Sequence, residues 1–424
     1  MRVFKFGGAS LKNAAAIRNV GSILQPYVKT PILIVVSAMG QTTNALVNIV
    51  NLFRDGGEYQ NEFSNLQHFH TRIAAELFPE RHEVFAALEA LFREVESRLN
   101  HSDKYDEAYD QIVSHGELIS SVILHHYLSE NKLVSQWIDA RDYVRTDNTF
   151  REARVDWDVT GSAIRKLRIA LQKNFVITQG FIGRTEDGRT TTLGRDGSDF
   201  SAAIFASCLR ADSVTIWKDV TGVMNADPKR MPTATVFEEL PYHEAAEMTY
   251  YGASVIHPKT IKPLATHDIP LYVKSFEDPS LPGTKIHDCQ ISDIPPLIVF
   301  KENQCLVSCR VTDYAFITED HIRRVFSILI ELDIRINVMQ NSAMSFSFCF
   351  DLRESKLKAL LEKLKPDFEV YYNTGLTLVT VKNYDRENFE TYRSRPGVLL
   401  EQYSRSTLQV LMRSVAASSP SASR

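Results

Sequence analysis

The sequence predicts an α/β protein in which a mainly parallel sheet lies between helices and is followed by smaller α+β modules. Near the N-terminus, apolar runs at 3–6 and 31–38 enclose a helical pattern at 12–24, and this β–α–β order is typical of a parallel sheet covered by helices. Pro-rich segments at 278–283 and 292–296 predict a domain boundary. After that boundary the pattern changes to β-α-β-β-α-β over about 70 residues.

The region between these landmarks predicts helices first and strands later. Residues 44–126 are mostly helical in pattern, and a second helical stretch covers 242–254. Runs rich in β-branched and aromatic residues predict strands at 134–139, 175–183, 213–220 and 269–276. We therefore expect the first region to continue as alternating helices and strands.

The C-terminal part contains a second, shorter β-α-β-β pass, which we interpret as an incomplete internal repeat. The small polar residues at the end of the chain cannot bury enough surface to order themselves. The predicted boundaries are 1–295 for the first domain, 296–373 and 374–415 for the two modules, and 416–424 for a disordered tail.

Composition excludes several classes of function. The 48 basic and 52 acidic residues give a net charge of −4, which does not favour nucleic acid as a partner. We find no apolar run of about 18 residues, so we expect no membrane span. The N-terminus, MRVFKFGG, does not have the pattern of a signal peptide.

Cysteine and histidine spacing does not predict a protein-held metal. The five cysteines form no CxxC pair and have no neighbouring histidine cluster, so we expect no zinc site and a reducing, cytoplasmic setting. His68, His70 and His82 have no ligand-like spacing, and we interpret them as solvated helix surface.

Three glycine-bearing bends follow predicted strands, at 6–8, 179–183 and 192–199. Ligands of open parallel sheets bind at this edge, and bare backbone N–H groups can hold an anion there. Lys5 adds a positive charge beside the first bend, so the combination suits a polyphosphate. Neither GxGxxG nor GxxxxGK[ST] is present. The alternative is that the double glycine forms only a tight turn.

A second set of polar residues could bind a small zwitterion. Arg195 suits a carboxylate because a guanidinium group can pair with it through two hydrogen bonds, and Glu117 suits an α-ammonium group. The alternatives are that Glu117 is a satisfied helix residue and Arg195 a solvated loop charge. The whole set is Ser37, Thr43, Glu117, Arg195, Ser198 and Asp199.

A third candidate is the loop WKDVTGVMNADPK at 217–229. Its polar residues could contact an adenine or a ribose and place cations on phosphates. The alternative is an Asp/Asn/Pro turn that only links a strand to a helix. The residues in question are Asp219, Asn225, Asp227 and Lys229.

Five motifs together resemble those of aspartate kinase: KFGGAS, SHGEL, GFIGRTEDGRTTTLGRDGSD, WKDVTGVMNADPK and MTYYGASVIHPKTIKPL. The stretch from Thr178 to Lys229 separates this group from carbamate, acetylglutamate and uridylate kinases, which share the general fold. The resemblance covers residues 1–415. It implies an amino acid kinase fold followed by ferredoxin-like ACT modules, of which the second is shortened.

The implied reaction transfers the γ-phosphoryl group of ATP to the β-carboxylate of L-aspartate, with Mg²⁺ carried on the phosphates. The product, 4-phospho-L-aspartate, enters lysine, threonine, methionine and diaminopimelate biosynthesis. The residues implied to be catalytic are Lys5, Gly7, Gly8 and Asp199. Those implied to hold aspartate are Ser37, Thr43, Glu117, Phe181, Arg195 and Ser198, with Asp199 beside them. Those implied at the nucleotide are Lys5, Gly7, Gly8, Lys218, Asp219, Met224 and Lys229.

The chain departs from the family pattern at several of these positions. Uncommon residues are Ala9, Lys218, Met224, Lys229 and Ser254. Ser254 replaces a lysine, so one cationic contact to the nucleotide is missing, and we hypothesise that Lys218 or Lys259 supplies that charge.

The ACT modules imply an amino acid effector, whose identity the sequence leaves open, and a homodimer or higher homo-oligomer. One alternative function is that of another amino acid kinase acting on a different carboxylate or carbamate. A second is that of a catalytically weak or inactive amino-acid sensor with a kinase-like domain.

Overall fold

The structure, a computed structural model, describes residues 1–99, 104–253, 256–291, 294–311 and 316–414. They form two compact units. The first comprises residues 1–223, 236–249 and 256–291, and the second comprises 224–235, 250–253, 294–311 and 316–414. Ser254 and the tail predicted at 416–424 were the subject of predictions but lie outside the described residues.

The elements of the chain up to residue 291 begin in the order β–α–β, continue as consecutive helices between residues 42 and 130, and then combine strands with helices, as predicted. The strands are β1 (Arg2–Phe6), β2 (Ile32–Val36), β3 (Ser135–Trp137), β4 (Phe175–Gln179), β5 (Ile182–Arg184), β6 (Thr190–Thr192), β7 (Ser213–Lys218), β8 (Glu239–Pro241), β9 (Leu271–Ser275) and β10 (Thr284–His287). The helices are α1 (Ala14–Leu24), α2 (Thr42–Arg54), α3 (Gln60–Leu77), α4 (Val84–Arg98), α5 (Tyr105–Val113), α6 (His115–Glu130), α7 (Trp157–Arg165), α8 (Arg168–Leu171), α9 (Gly197–Leu209), α10 (Tyr242–Tyr251) and α11 (Pro258–Ala265).

The main sheet of the first unit has the strand order β3-β4-β2-β1-β7-β9-β10-β8. Neighbouring strands are parallel except β9 and β10. Strand β2, ILIVV, is buried along its whole length, because helices α6 and α9 both pack against it. The structure therefore confirms the predicted mainly parallel sheet between helices.

Helix α9 brings the loop at 193–196 to this sheet. Its sequence, GSDFSAAIFASCL, is apolar or small on nearly every side, and a helix of that composition is buried. Because the helix begins at Gly197, Ser198 and Asp199 lie in its first turn, next to the loop.

The second unit contains one antiparallel sheet with the strand order β12-β13-β11-β14-β16-β15. Its strands are β11 (Leu297–Arg310), β12 (Ile336–Asn341), β13 (Ser345–Asp351), β14 (Glu369–Lys382), β15 (Val398–Tyr403) and β16 (Thr407–Arg413). Its helices are α12 (Glu319–Glu331), α13 (Glu354–Leu364) and α14 (Arg386–Arg393).

The two long central strands belong to both modules of this unit. Residues 306–310 of β11 pair with 369–373 of β14, and residues 297–301 pair with 378–382. The early half of β11 thus supplies a strand that the second pass of the sequence lacks. The predicted boundary between residues 373 and 374 falls inside β14, and the predicted domain limits stay a prediction.

The described residues have two further features that bear on the setting of the protein. No helix among them combines the length and the apolar composition that crossing a bilayer requires. All five cysteines are free thiols: Cys208, Cys289, Cys305, Cys309 and Cys349. The predicted cytoplasmic setting stays a prediction.

Candidate active site

Four adjacent parallel strands, β4, β2, β1 and β7, end at one edge of the main sheet. Backbone hydrogen bonds continue past the strand ends: Ser37 N–H donates to the Phe6 carbonyl at 3.1 Å, and Gly180 N–H donates to the Val36 carbonyl at 2.8 Å. Open parallel sheets bind ligands at this edge. The candidate residues at or just beyond the ends of β1, β2 and β7 are Gly7, Gly8, Ser37 and Lys218.

The double glycine lets two loops approach each other closely. A Cβ atom on Gly8 would lie 2.7 Å from the carbonyl oxygen of Ala38, which is too close for any side chain. The Gly40 N–H donates to the Gly8 carbonyl at 3.0 Å and fixes this approach. A Cβ on Gly7 would lie 3.4 Å from Lys5 Nζ. The bend is therefore a tightly packed turn with an ammonium group beside its bare backbone.

Two lysines share one buried carboxylate at this edge. Lys5 Nζ lies 2.7 Å from Asp199 Oδ1, and Lys218 Nζ lies 3.4 Å from Asp199 Oδ2. Burial raises the pKa of Asp199, but the charges of Lys5 and Lys218 outweigh it and hold that pKa below its usual value. Two positive charges against one negative charge leave this cluster with an excess positive charge.

Glu117 is a second buried carboxylate, and it is paired differently. Its Oε1 accepts a hydrogen bond from Ala38 N–H at 3.2 Å. Within the described part of the chain its other oxygen, Oε2, has no hydrogen-bond partner. Burial raises the pKa of Glu117 to about 8, against a smaller opposing effect of the Ala38 hydrogen bond and the Lys5 charge. A cationic ligand group would stabilise the ionised form.

Helix α6 holds Glu117 against the end of β2. A Cβ on Gly116 would lie 2.8 Å from the Cβ of Ala38, so glycine permits the helix to approach. Ser120 Oγ donates to the Ser37 carbonyl at 2.6 Å. These contacts fix Glu117 relative to Ser37.

Phe181 and Ser198 lie at the junction of β4 and α9. A Cβ on Gly180 would lie 2.6 Å from the Cβ of Ser198, so the glycine packs directly on the helix. Phe181 has a φ of 68°, a conformation that few residues other than glycine adopt, and its N–H donates to Ser201 Oγ at 2.9 Å. The chain therefore turns sharply after β4. Strained backbone positions of this kind often occur at functional sites.

Two predicted aspartate-binding residues lie nearer the surface. Arg195 is on the loop before α9, and its side chain is 78% exposed, with Asp196 3.9 Å away. Thr43 lies half-buried in the first turn of α2. Arg195 is therefore in the loop that leads into α9, and Thr43 is in the helix that follows the turn at Ala38.

The predicted nucleotide residues divide between the two units. Lys218 ends β7, and the exposed Asp219 lines a cleft of about 260 Å³ beside the bend after β1. Met224, half-buried, and Lys229, exposed, group with the second unit. The cleft is also lined by Ala9, Ser10, Lys12, Asn13, Asn19, Phe276 and Glu277.

Two polar residues of the loop at 217–229 accept hydrogen bonds from nearby backbone N–H groups and so stabilise the conformation of the loop. Asn225 Oδ1 accepts from Thr235 N–H at 2.8 Å, and Asp227 Oδ1 accepts from Lys229 N–H at 2.9 Å. For these two side chains the turn alternative describes the structure well.

The interpretation of His70 as solvated surface was wrong. His70 is completely buried, and its Nε2 lies 3.0 Å from Thr42 Oγ1 while its Nδ1 lies 2.8 Å from the Leu66 carbonyl. Burial lowers its pKa to about 4, so the ring is neutral. Its helical spacing from Leu66 and Ile73, both buried, was the signal that could have predicted its burial.

The amino acid kinase family model matches residues 1–275 of the chain. The chain is 32% identical over 411 residues to lysine-sensitive aspartokinase 3 of Escherichia coli, covering 90% of this chain and 87% of that protein. It is 30% identical over 395 residues to the chloroplastic bifunctional aspartokinase/homoserine dehydrogenase of Daucus carota, and covers 42% of that longer protein.

Crystal structures of E. coli aspartokinase III have the same architecture. The complex with aspartate and ADP gives a TM-score of 0.82 at 29% identity, covering 97% of this chain and 96% of that one. The complex with lysine and aspartate gives the same TM-score at 28% identity and the same coverage of both chains. The chain therefore belongs to the amino acid kinase family and, within it, to the aspartokinases.

Proposed function

We propose that this chain is an aspartate kinase, which transfers the γ-phosphoryl group of ATP to the β-carboxylate of L-aspartate and releases ADP and 4-phospho-L-aspartate. The observation that carries the proposal is the positive cluster of Lys5, Lys218 and Asp199 beside the double-glycine bend. The likeness to E. coli aspartokinase III, whose crystal structure contains aspartate and ADP, supports the same choice of ligands.

The phosphoryl donor half of the site consists of Lys5, Lys218 and the backbone of Gly7 and Gly8. Both ammonium groups form ion pairs with the Asp199 carboxylate, so they are held in position before a phosphate binds. Mg²⁺ would enter on the phosphates and neutralise part of their charge. In the described residues, the one group of potential metal ligands lies elsewhere: Glu239, His287 and Cys289.

The acceptor half pairs charges of opposite sign with aspartate. The free oxygen of Glu117 suits the α-ammonium group, and Arg195 suits a carboxylate once its exposed side chain turns inward. We assign the remaining contacts to Ser37, Thr43, Phe181 and Ser198, which lie on the segments between these charges.

The chemistry needs no general base, because a β-carboxylate is already ionised near pH 7. The obstacle is the repulsion between that carboxylate and the γ-phosphoryl group. Lys5 and the glycine N–H groups lower it by neutralising charge along the line of transfer, and the buried setting strengthens their effect. Catalysis is then a matter of positioning and electrostatics.

The nucleotide contacts that we propose are Lys218, Asp219, Met224 and Lys229, together with Lys5 and the Gly7–Gly8 backbone. Lys218 carries a charge at the end of β7. We infer that this charge serves in place of the lysine that Ser254 replaces.

We further propose that the second unit, with the modules predicted at 296–373 and 374–415, binds an amino acid effector and joins the chain into a homodimer. Its outer strands, β12 and β15, present sheet edges that protein partners commonly cover. Lysine is the first effector to test, since a similar enzyme has been crystallised with it. Light scattering of the purified protein tests the dimer.

A hydroxamate assay tests the function. Hydroxylamine traps an acyl phosphate, so the purified chain is incubated with ATP, Mg²⁺ and a panel of amino acids and carboxylic acids. We expect hydroxamate from L-aspartate and none from L-glutamate, N-acetylglutamate or carbamate. Product from another member of the panel alone would indicate a different kinase, and no product from any member would indicate an amino-acid sensor.

A further inference from the structure

We infer that Asp110 is a positioning residue for the aspartate site, and this inference rests on the function proposed above. Asp110 lies on α5 and its side chain is completely buried. Its hydrogen-bond partners among the described residues, Arg151 and Thr192, are not assigned to aspartate or ATP. The helix that carries it, α5, contacts β6, which leads into the loop at 193–196, and directly precedes α6, which carries Glu117.

Both oxygens of Asp110 accept hydrogen bonds. Oδ2 accepts from Arg151 N–H at 2.9 Å and from Thr192 N–H at 2.8 Å, and Oδ1 accepts from Thr192 Oγ1 at 2.7 Å. Burial raises the pKa of Asp110 to about 6, with these bonds opposing the rise, so the carboxylate is its main form at pH 7. Both oxygens of the Asp110 carboxylate therefore have hydrogen-bond partners, and the side chain holds Arg151 and Thr192 in place.

Thr192 is the last residue of β6 and stands directly before the loop at 193–196, which carries Arg195 and leads into the first turn of α9 with Ser198. Its carbonyl accepts from Ala153 N–H at 2.9 Å, and the next N–H, of Leu193, donates to the Phe181 carbonyl at 2.9 Å. Movement of Thr192 would therefore move Phe181 and Arg195 together. The anchor on Thr192 fixes the start of the loop.

Helix α5, which carries Asp110, is also linked along the chain to the helix that carries Glu117. Helix α5 ends at Val113, and α6, which carries Glu117, begins at His115. Gln111, next to Asp110, donates from Nε2 to the Thr190 carbonyl at the other end of β6. Helix α5 thus holds β6 at both ends, so the distance between the ammonium-binding and carboxylate-binding sides depends on it.

Two substitutions at Asp110 separate positioning from general stability. Asp110→Asn can keep all three hydrogen bonds, because its amide oxygen can accept from the two backbone N–H groups while its NH₂ donates to the Thr192 hydroxyl. Asp110→Leu leaves the N–H groups of Arg151 and Thr192 without this acceptor, and the bond to Thr192 is buried. We expect the KM for aspartate to rise about 30-fold in Asp110→Leu and less than about threefold in Asp110→Asn, with the KM for ATP changed less than about twofold in both.

Thr192→Val is a second variant that removes only the hydroxyl hydrogen bond, and it serves if Asp110→Leu does not fold. We expect about a threefold rise in the KM for aspartate. Asp106→Asn is the matched control: this exposed carboxylate on the same helix pairs with the Arg151 side chain at 3.3 Å, and its removal should leave both KM values unchanged.

Calorimetric titration with L-aspartate accompanies the kinetics for every variant. A wild-type chain that neither binds nor phosphorylates aspartate overturns the proposed function and this inference together. An active wild type with unchanged aspartate KM in both Asp110→Leu and Thr192→Val overturns the inference alone. Equal rises in the KM values for aspartate and ATP also overturn it, because they indicate a general structural loss.

Discussion

Two buried carboxyl groups at the same sheet edge, Asp199 and Glu117, have pKa values that their surroundings shift in opposite directions. Asp199, at the start of α9, has two lysines within ion-pairing distance, which hold its pKa below the usual value despite burial. Glu117, in the first turn of α6, receives one backbone hydrogen bond, and burial raises its pKa to about 8. Both side chains are less than a tenth exposed.

The difference indicates which ligand charge each region is prepared for. The charge of Asp199 is already more than neutralised, so the Asp199 region attracts anions. In the Glu117 region, one oxygen of a buried carboxyl group has no hydrogen-bond partner among the described residues. Burying such a group costs free energy, and a bound cation would offset part of that cost. A zwitterion with a reactive carboxylate fits between them, with its ammonium end at Glu117 and its β-carboxylate towards the lysines.

The largest expected effect comes from removing the cation nearest the bend. Lys5→Ala should lower kcat by about 10²–10³ while the KM for aspartate changes little, because Lys5 neutralises charge that develops in the transition state. Steady-state kinetics with varied aspartate measures both constants.

Lys29→Ala is the matched control for that variant. Lys29 is exposed and precedes β2, at the opposite end of the strand from the site, so the variant should keep wild-type kinetics. Retention of more than about a tenth of the wild-type kcat in Lys5→Ala would reject the role assigned to Lys5.

The Glu117 region should respond through substrate binding instead. Glu117→Gln should raise the KM for aspartate about 10- to 100-fold, since a hydrogen bond to a charged group contributes about 1.5–3 kcal/mol. Glu130→Gln, an exposed position at the end of the same helix, is the control. An unchanged KM in Glu117→Gln would mean that the ammonium group binds elsewhere.

The raised pKa of Glu117 also predicts a pH dependence of stability. In the unfolded chain its carboxyl group loses its proton near the ordinary value of 4.5, whereas in the folded chain it keeps the proton up to about 8. The folded state therefore holds the extra proton between these values, and stability falls as the pH rises from about 4.5 to about 8. Thermal melts across this range should show a smaller decline in Glu117→Gln than in wild type. Parallel curves would contradict the assigned pKa.

The sequence was sufficient where the signal is local. Strand–glycine–helix order predicted the sheet and its binding edge, and Lys5, Glu117 and Asp199 each stand beside such a bend or in the first turn of a helix. It did not predict that Lys5 and Lys218 share Asp199, because β1 and β7 become neighbours only when the sheet forms.

Long-range pairing limited the prediction elsewhere too. Residues 297–301 follow a Pro-rich segment and were not predicted as a strand, yet they pair with 378–382 of β14. The burial of His70, by contrast, could have been predicted from its helical spacing from Leu66 and Ile73, but the polar residues beside it in the sequence obscured that pattern.

A smaller effect should follow from the second lysine of the Asp199 region. Lys218→Ala should raise the KM for ATP by about tenfold and leave the KM for aspartate unchanged, because Lys218 is assigned to phosphate and Lys5 still neutralises Asp199. Lys173→Ala, an exposed lysine before β4, is the control. If the KM for ATP does not change, Lys218 does not replace the missing lysine.

The smallest expected effect comes from removing a hydrogen bond that holds the helix of Glu117 against the end of β2. Ser120 Oγ donates to the Ser37 carbonyl at 2.6 Å, and Ser120→Ala loses this bond without altering any charge. A neutral hydrogen bond contributes about 1 kcal/mol net, so the KM for aspartate should rise only about three- to fivefold, with kcat and the KM for ATP constant. Ser129→Ala, at an exposed position on α6, should match wild type. A change in kcat comparable to that of Lys5→Ala would mean that the two regions are not separable, because loosening the ammonium-binding side would then also displace the lysines around Asp199.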